Sequence, residues 1–291
     1  HHVNKLSRIL ITVAIPLAIL LIPVPAGLSV AAWRLFALYI AAILGIMFRP
    51  YPDPVILLAV IAVSSLWLNN IGVALAGYAS TTTWLVFTAF MVGQAFSDTG
   101  LGKRIAYILI GKMGRTTLGL SYVAALTDLV LSPATPSTTA STGGLVSPIF
   151  RSIASTLGSE PGPTAKRLGA FLSVLLYQIS MATGALFITA LATHPMVVSF
   201  AKDLLKIDIT WMLWAKAMAV PVFIVFAVTP YLVYKMFPPE IKQIDNQEIA
   251  NRGMAEIGPM SVKEKILAGL FVLAIIGWST GAITQINPTA V

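Results

Sequence analysis

The chain has no cysteine. Disulfides and thiolate metal sites are excluded, and cysteine usage says nothing about the redox compartment. Charge is scarce too. Only 10% of the 291 residues are charged, where a soluble globular chain carries about 25%. Acids are the rarer sign, 11 against 19 Lys and Arg. Residues 9–33, 54–97, 168–201 and 266–291 contain no Asp, Glu, Lys or Arg at all. Strand-period alternation is missing as well, which argues against a membrane barrel.

What fills the uncharged windows is apolar. Mean hydropathy is +0.86 and 57% of residues are hydrophobic. One helical span needs about 20 apolar residues, so the window at 54–97 has room for two. The fold class that follows is an all-α polytopic membrane protein, a transmembrane helix bundle. The net charge of +8 does not point to nucleic acid. Its Lys and Arg lie in short loops, where they orient helices and meet lipid headgroups.

Expected spans are 7–23, 31–48, 55–69 and 81–97, then, after a basic loop, a hairpin over 117–156. An interrupted segment over 168–205, a span at 211–236, a polar stretch at 237–261 and a span at 266–283 follow. His1-His2 is read as a tag remnant. Pro23-Val-Pro25 stands where a signal peptide would have a small-residue cleavage site, so the first span is read as a true helix.

Basic residues test this order. With Lys5 and Arg8 in the cytoplasm, Arg49 is inside and the loops at 23–30 and 70–80 are outside and uncharged. Two basic clusters, Lys103–Arg115 and Arg151–Arg167, then fall on the same inner side. Residues 117–156 must therefore enter the membrane and return, a re-entrant hairpin with its tip near 136–144. The neutral loop near 202–208 is outside, and Lys235 and Lys242 are inside. The acid-rich stretch 237–261 reads as a cytoplasmic linker or surface helix.

The tip region runs Leu131-Ser-Pro-Ala-Thr-Pro-Ser-Thr-Thr-Ala-Ser-Thr-Gly-Gly-Leu-Val-Ser-Pro148. At membrane depth, broken helix is tolerated only inside protein or beside a wet cavity. A helix starting after the tip points free N–H groups and a positive dipole end into such a cavity, where hydroxyls donate to a carboxylate. Carbonyls left free before the break can hold a cation. The plainer reading is a tightly packed, kinked helix pair. Asp128, nine residues before Ser137, either orients the tip, pairs a basic group, or is a helix-end charge in water. Thr189-Ala-Leu-Ala-Thr-His-Pro195 and Ser180-Met-Ala-Thr-Gly184 interrupt the apolar pattern of 168–205, and Pro195 is expected to break that helix. His194 is a titratable group at membrane depth, either functional or satisfied by a neighbour. Trp67, Trp84, Trp211, Trp214 and Trp278 lie near span ends, as an interfacial belt requires.

Ala134-Thr-Pro-Ser-Thr-Thr-Ala140 with Gly143-Gly144 and Pro148 resembles the first signature hairpin of the divalent anion/sodium symporter family. The likeness is closest to its citrate carrier and plastid 2-oxoglutarate/malate translocator branch. Further similar segments are Gly27-Leu-Ser-x-x-Ala-Trp-Arg-Leu-Phe36 and Gly93-Gln-Ala-Phe-x-x-Thr-Gly-Leu-Gly102. Leu157-Gly-Ser-x-Pro-Gly162, Asp203-Leu-Leu-Lys-Ile-Asp-Ile-Thr-Trp211 and Tyr234-Lys-Met-Phe-Pro-Pro-Glu-Ile-Lys242 complete the set. The resemblance implies a secondary carrier of di- and tricarboxylates, a homodimer, and an elevator motion of a transport domain. It implies no enzyme activity, no metal site and no cofactor. It assigns the substrate to Pro136, Ser137, Thr138, Thr139, Thr193 and His194, and a cation or charge-balancing region to Pro133, Ser137, Thr138, Ala192 and His194.

Two positions depart from the family pattern Pro-Ser-Asn-Thr-Ala-Arg-x-Gly-Gly. Thr138 replaces its Asn and Ser141 its Arg, and His194 stands where relatives have Asn. Thr138 and His194 favour anion exchange over sodium symport, and Ser141 leaves less fixed positive charge for a trianion. The domain expectation is a scaffold at 1–116, the transport-site region at 117–206, a helix and linker at 207–261, and the start of a second half at 262–291. A matching inverted hairpin is expected in that second half, beyond Val291. The expected location is a bacterial inner membrane. Readings of other classes are an intramembrane hydrolase using Ser137 with His194 as base, for which no third orienting residue is apparent, and a scaffold fragment.

Overall fold

The computed structural model describes residues 4–284 and 290–291. The expectation for His1-His2 lies outside the described residues. Every regular element among the described residues is helical, and each expected span falls on a helix. Four helices are long and apolar enough to cross a membrane: Val30–Phe48, Thr117–Ala134, Gly169–Leu186 and Trp211–Met236. The chain divides into two compact units, residues 1–83 and 84–291.

The first unit holds α1 (Lys5–Leu21), α2 (Val30–Phe48), α3 (Asp53–Leu68) and the short α4 (Ile71–Ala74). α1 stops because Pro23 forces Ile22 into extended backbone. Ser29 caps α2 by accepting from the Ala32 N–H at 3.1 Å. The Trp33 indole donates to the Ile19 carbonyl at 3.1 Å and pins α2 to α1. α2 meets α3 so closely that a Cβ at Gly45 would lie 2.5 Å from Ile56 Cγ2.

The second unit begins within α5 (Thr81–Thr99) and continues with α6 (Leu101–Met113), α7 (Thr117–Leu131), α8 (Ser147–Thr156) and α9 (Gly169–Leu186). α10 (Thr193–Leu205), α11 (Trp211–Met236), α12 (Asn246–Ile257) and α13 (Val262–Thr284) complete it. The expected basic loop is instead the helix α6. Its apolar face, with Ala106 and Ile110 fully buried, joins the core, and Lys103 and Lys112 face out. α12 lies along α6, with the Asn246 amide donating to the Ile110 and Gly111 carbonyls at 3.0 and 2.7 Å.

Residues 117–156 form a helical hairpin, α7 out and α8 back. Segment 240–244 shows that it returns to the end it left. Thr117 N donates to the Lys242 carbonyl at 3.1 Å, and Ile244 N donates to Arg115. On the other side, Glu240 N and Ile241 N donate to Lys166 and Arg167, just before α9. The Ser159 hydroxyl ties the intervening loop down by accepting from Leu168 N and Gly169 N. Leu120, Val123, Phe150, Phe171 and Leu175 form the core between α7, α8 and α9.

The interrupted segment is broken where the expected Thr189–Pro195 interruption begins, but not at Ser180–Gly184 and not by Pro195 itself. α9 runs intact through Ser180–Gly184, with the Ser180 hydroxyl returned to Tyr177 O at 2.8 Å. The break lies at 187–192, and Pro195 falls in the first turn of α10. Proline is tolerated there because first-turn N–H groups have no intrahelical acceptor.

Candidate functional site

α7 ends in a 3₁₀ turn, Ser132–Ala134, with Pro133 buried in it. Thr135 is extended, as a residue before proline must be, and its hydroxyl returns to Leu131 O at 3.1 Å. After Pro136 the chain re-enters helix. Ser137 starts it: its Oγ accepts from Ala140 N at 3.4 Å and its carbonyl from Ser141 N at 2.9 Å. The next stretch, Thr139–Val146, is a π-helix, a wide turn of the kind that concentrates at functional sites. Gly143 and Gly144 lie inside this helix, so the tip is 135–138, shorter than expected. Ser137 and Thr138 are half-buried, and Thr139, Gly143 and Gly144 are exposed.

The tip is joined to the break in α9–α10. Ala192 N donates to the Pro136 carbonyl at 2.9 Å. The 3₁₀ turn at 132–134 packs on a second one, Ile188–Ala190. Thr138 lies over Gly184, where any Cβ would come within 2.5 Å of Thr138 Cγ2. Pro133, Pro136, Ser137, Thr138 and Ala192 therefore lie along one junction. Thr139 and Thr193 are exposed beside it.

His194 is placed differently. Its Nδ1 lies 3.0 Å from Phe187 O. A carbonyl only accepts, so Nδ1 carries a proton and Nε2 is the other ring nitrogen. The ring also lies 4.7 Å from Trp214. Trp214 Nε1 donates to Ala185 O at 3.0 Å, and Trp211 Nε1 reaches the Thr189 hydroxyl at 3.4 Å. His194 and the two tryptophans thus satisfy groups of the break, so Trp211 and Trp214 are not merely belt residues. Ser137 and His194 share no hydrogen bond, and the hydrolase pairing has no geometric basis.

Sequence reasoning left Asp128 open, and here it orients the tip. It is buried at 1% exposure. Ser141 and Thr142 donate to its Oδ1 at 2.7 and 2.9 Å, and Thr183 of α9 donates to its Oδ2. One carboxylate thus holds both hairpin arms to α9. The hydroxyl run after the tip was its only sequence signal. The buried Arg104–Glu264 pair was missed altogether. Arg104 Nε contacts Glu264 Oε1 at 2.7 Å, and Arg104 also donates to Gly258 O. Glu264 and Ser261 form a reciprocal capping box at the start of α13. The Arg104 hydrogen bonds hold the Glu264 carboxyl below its ordinary value.

What the junction offers is hydroxyl donors, and residues 129–150 around it carry no Lys or Arg. The Ser137 hydroxyl uses a lone pair on Ala140 and keeps its hydrogen to give away. A cavity of about 530 Å³ between α8 and α9, lined by Arg151, Ser155 and Ser173, contains none of the tip residues.

Residues 3–291 match the family model described as the sodium:sulfate symporter transmembrane region. The chain belongs to this family. That family is one of membrane transporters. The chain is 48% identical to the inner membrane protein YbhI of Escherichia coli over 94% of this chain and 59% of the relative. It is 34% identical to the chloroplastic dicarboxylate transporter 1 of Arabidopsis thaliana, over 95% of this chain and 50% of the relative. Identity to an L-tartrate/succinate antiporter of Escherichia coli is 32%, over 94% and 61%. The chain thus spans between 50% and 61% of the length of these relatives.

Proposed function

We propose that this chain carries one half of the binding site of a secondary transporter for small di- and tricarboxylates, working by anion exchange. The observation that carries the reading is the Ala192 N to Pro136 O bond with Thr138 against Gly184. It makes the hairpin tip and the helix break one site, as a carrier built on discontinuous helices requires. Ser137, Thr138 and exposed Thr139 then offer hydroxyls to one substrate carboxylate, with Pro136 and Thr193 beside them. Pro133, Ala192 and His194 line the charge-balancing side. The relatives named for dicarboxylates and for antiport support the substrate class and exchange. The protein sits in a bacterial inner membrane with its N-terminus in the cytoplasm, works as a homodimer, and moves residues 117–206 as an elevator past a scaffold at 1–116.

The test is uptake by the full-length carrier in proteoliposomes. Ser137→Ala and Thr139→Ala each weaken half-saturation for malate or succinate by roughly 1.5–3 kcal/mol, the range for hydrogen bonds to charged groups. Unchanged half-saturation in both variants contradicts the site. Uptake persists when sodium is replaced by choline and collapses when internal dicarboxylate is omitted. Strict sodium dependence without need of internal anion restores sodium symport.

A further inference from the structure

Asp128 has no cation to balance it. Among the described residues it makes no ion pair, and its hydrogen-bond partners are three hydroxyls. Ser141, Thr142 and Thr183 are themselves nearly sealed from solvent. The neighbouring elements bring no charge either. The π-helix and the 3₁₀ turn contain none, and α9 has only Tyr177, which faces outward. α11 adds Val222 and Phe226 to the apolar cluster beside Ala125, and its Lys216, two residues before Met218 of that cluster, is exposed. α6 presents Gly102 to Leu131, keeps Arg104 on Glu264, and turns Lys103 and Lys112 outward. An isolated buried carboxylate is costly unless its charge is neutralised.

Two neutralising ligands are conceivable, a small cation or a proton, and the donors around the carboxylate favour the proton. The hydroxyl oxygens lie 2.7 and 2.9 Å from Oδ1, in direct hydrogen-bond contact. A calcium-sized cation takes six to eight oxygen ligands, whereas here the three hydroxyls that touch the carboxylate all aim their hydrogens at it, and a cation would have to turn them away. A proton fits without rearrangement. Thr183 Oγ1 also lies 3.2 Å from Ser180 O and 3.3 Å from Ile179 O. When Asp128 is ionised, Thr183 donates to Oδ2. When Oδ2 carries a proton it donates to Thr183 Oγ1, whose own hydrogen turns to one of those carbonyls. Ser141 and Thr142 keep donating to Oδ1 in both states.

We propose that Asp128 is a reversible proton-binding site built into the substrate-binding hairpin, taking up a proton when a dicarboxylate binds at the tip. The proton comes from water and neutralises the carboxylate. The link is electrostatic: an incoming dianion a few residues away disfavours a second buried negative charge. Linkage makes the effect reciprocal, so raising the proton concentration tightens dicarboxylate binding. The inference rests on the carboxylate site proposed above.

Titration calorimetry of the purified full-length carrier with malate, in buffers of different ionisation enthalpy, counts protons exchanged on binding. Wild type takes up a fraction of a proton up to one per malate. Asp128→Asn imitates the protonated state, accepting through its oxygen and donating through its nitrogen to Thr183. It binds malate with no proton uptake. Equal uptake by wild type and Asp128→Asn, or none in wild type, overturns the proposal. Failure of wild type to bind malate, succinate or citrate overturns the carboxylate site instead. If Asp128→Asn does not fold, infrared difference spectra of wild type with carboxyl-labelled aspartate give the readout. Malate then induces a protonated aspartic acid carbonyl band, and its absence refutes the site.

Discussion

α2 and the span Thr117–Ala134, which is α7 with its 3₁₀ end, are both apolar and of membrane-crossing length, and they are used in opposite ways. In α2 mean hydropathy reaches 2.0, and 17% of the window is buried. In Thr117–Ala134 hydropathy is only 1.3, and 67% is buried. The more apolar helix is the more exposed one, the reverse of a water-soluble protein. α2 turns Phe36, Tyr39 and Met47 outward, as a helix facing hydrocarbon does. α7 buries Thr117, Ser121, Thr127 and Asp128 in protein, where the three hydroxyls donate to backbone carbonyls and Asp128 accepts from Ser141, Thr142 and Thr183. Hydropathy finds the helices; polar residues in a span show which helix is shielded from lipid.

The comparison is broken most severely by Asp128→Ala. Ser141 and Thr142 lose their acceptor, at about 1–3 kcal/mol for each buried hydroxyl, and only Thr183 has carbonyls to fall back on. The expected total is roughly 2–6 kcal/mol, read as faster thermal inactivation in detergent, with little loss in Asp128→Asn. Next is Arg104→Met, which leaves Glu264 buried without its partner and costs about 3–5 kcal/mol. Arg104→Met with Glu264→Gln recovers most of it.

The same pair gives a pH signature. Glu264 has its folded value lowered chiefly by the Arg104 hydrogen bonds. Its contribution is therefore present above the ordinary carboxylate range and is lost as pH falls through the lowered folded value. Acid inactivation of wild type steepens below the ordinary carboxylate range, and the double variant lacks that step.

Gly184→Ala is smaller. Its Cβ meets Thr138 Cγ2 at 2.5 Å, an overpacking of typically 1–3 kcal/mol. Thr138→Ser removes that methyl and restores malate binding in the double variant. Smallest is Tyr39→Leu on the outward face of α2, 62% exposed, within about 0.5 kcal/mol of wild type by the same inactivation assay.

The helices and the hairpin were legible because hydropathy windows and the placement of Lys and Arg are properties of local sequence. The clustering of Ser and Thr beside Pro136 was legible for the same reason. Three features were not. The helix break sits before Pro195 because proline's missing N–H is harmless in a first turn, and which side of a proline a helix occupies depends on what satisfies the free carbonyls. Here Trp214 and His194 do so from positions 29 and seven residues away in sequence. Arg104 and Glu264 are 160 residues apart, and no periodicity announces such a pair. The partners of Asp128 come from two elements, and only the packing of α9 on the hairpin supplies Thr183.

The central claim is that residues 117–156 enter the membrane and return, holding a carboxylate site at their tip. In this Cys-free chain, a membrane-impermeant maleimide applied to one face at a time reads it directly. Thr116→Cys and Thr156→Cys are expected to label from the same face, and Thr139→Cys at the tip to lose its labelling when malate is added. Labelling of positions 116 and 156 from opposite faces, with the tip indifferent to malate, would contradict the account.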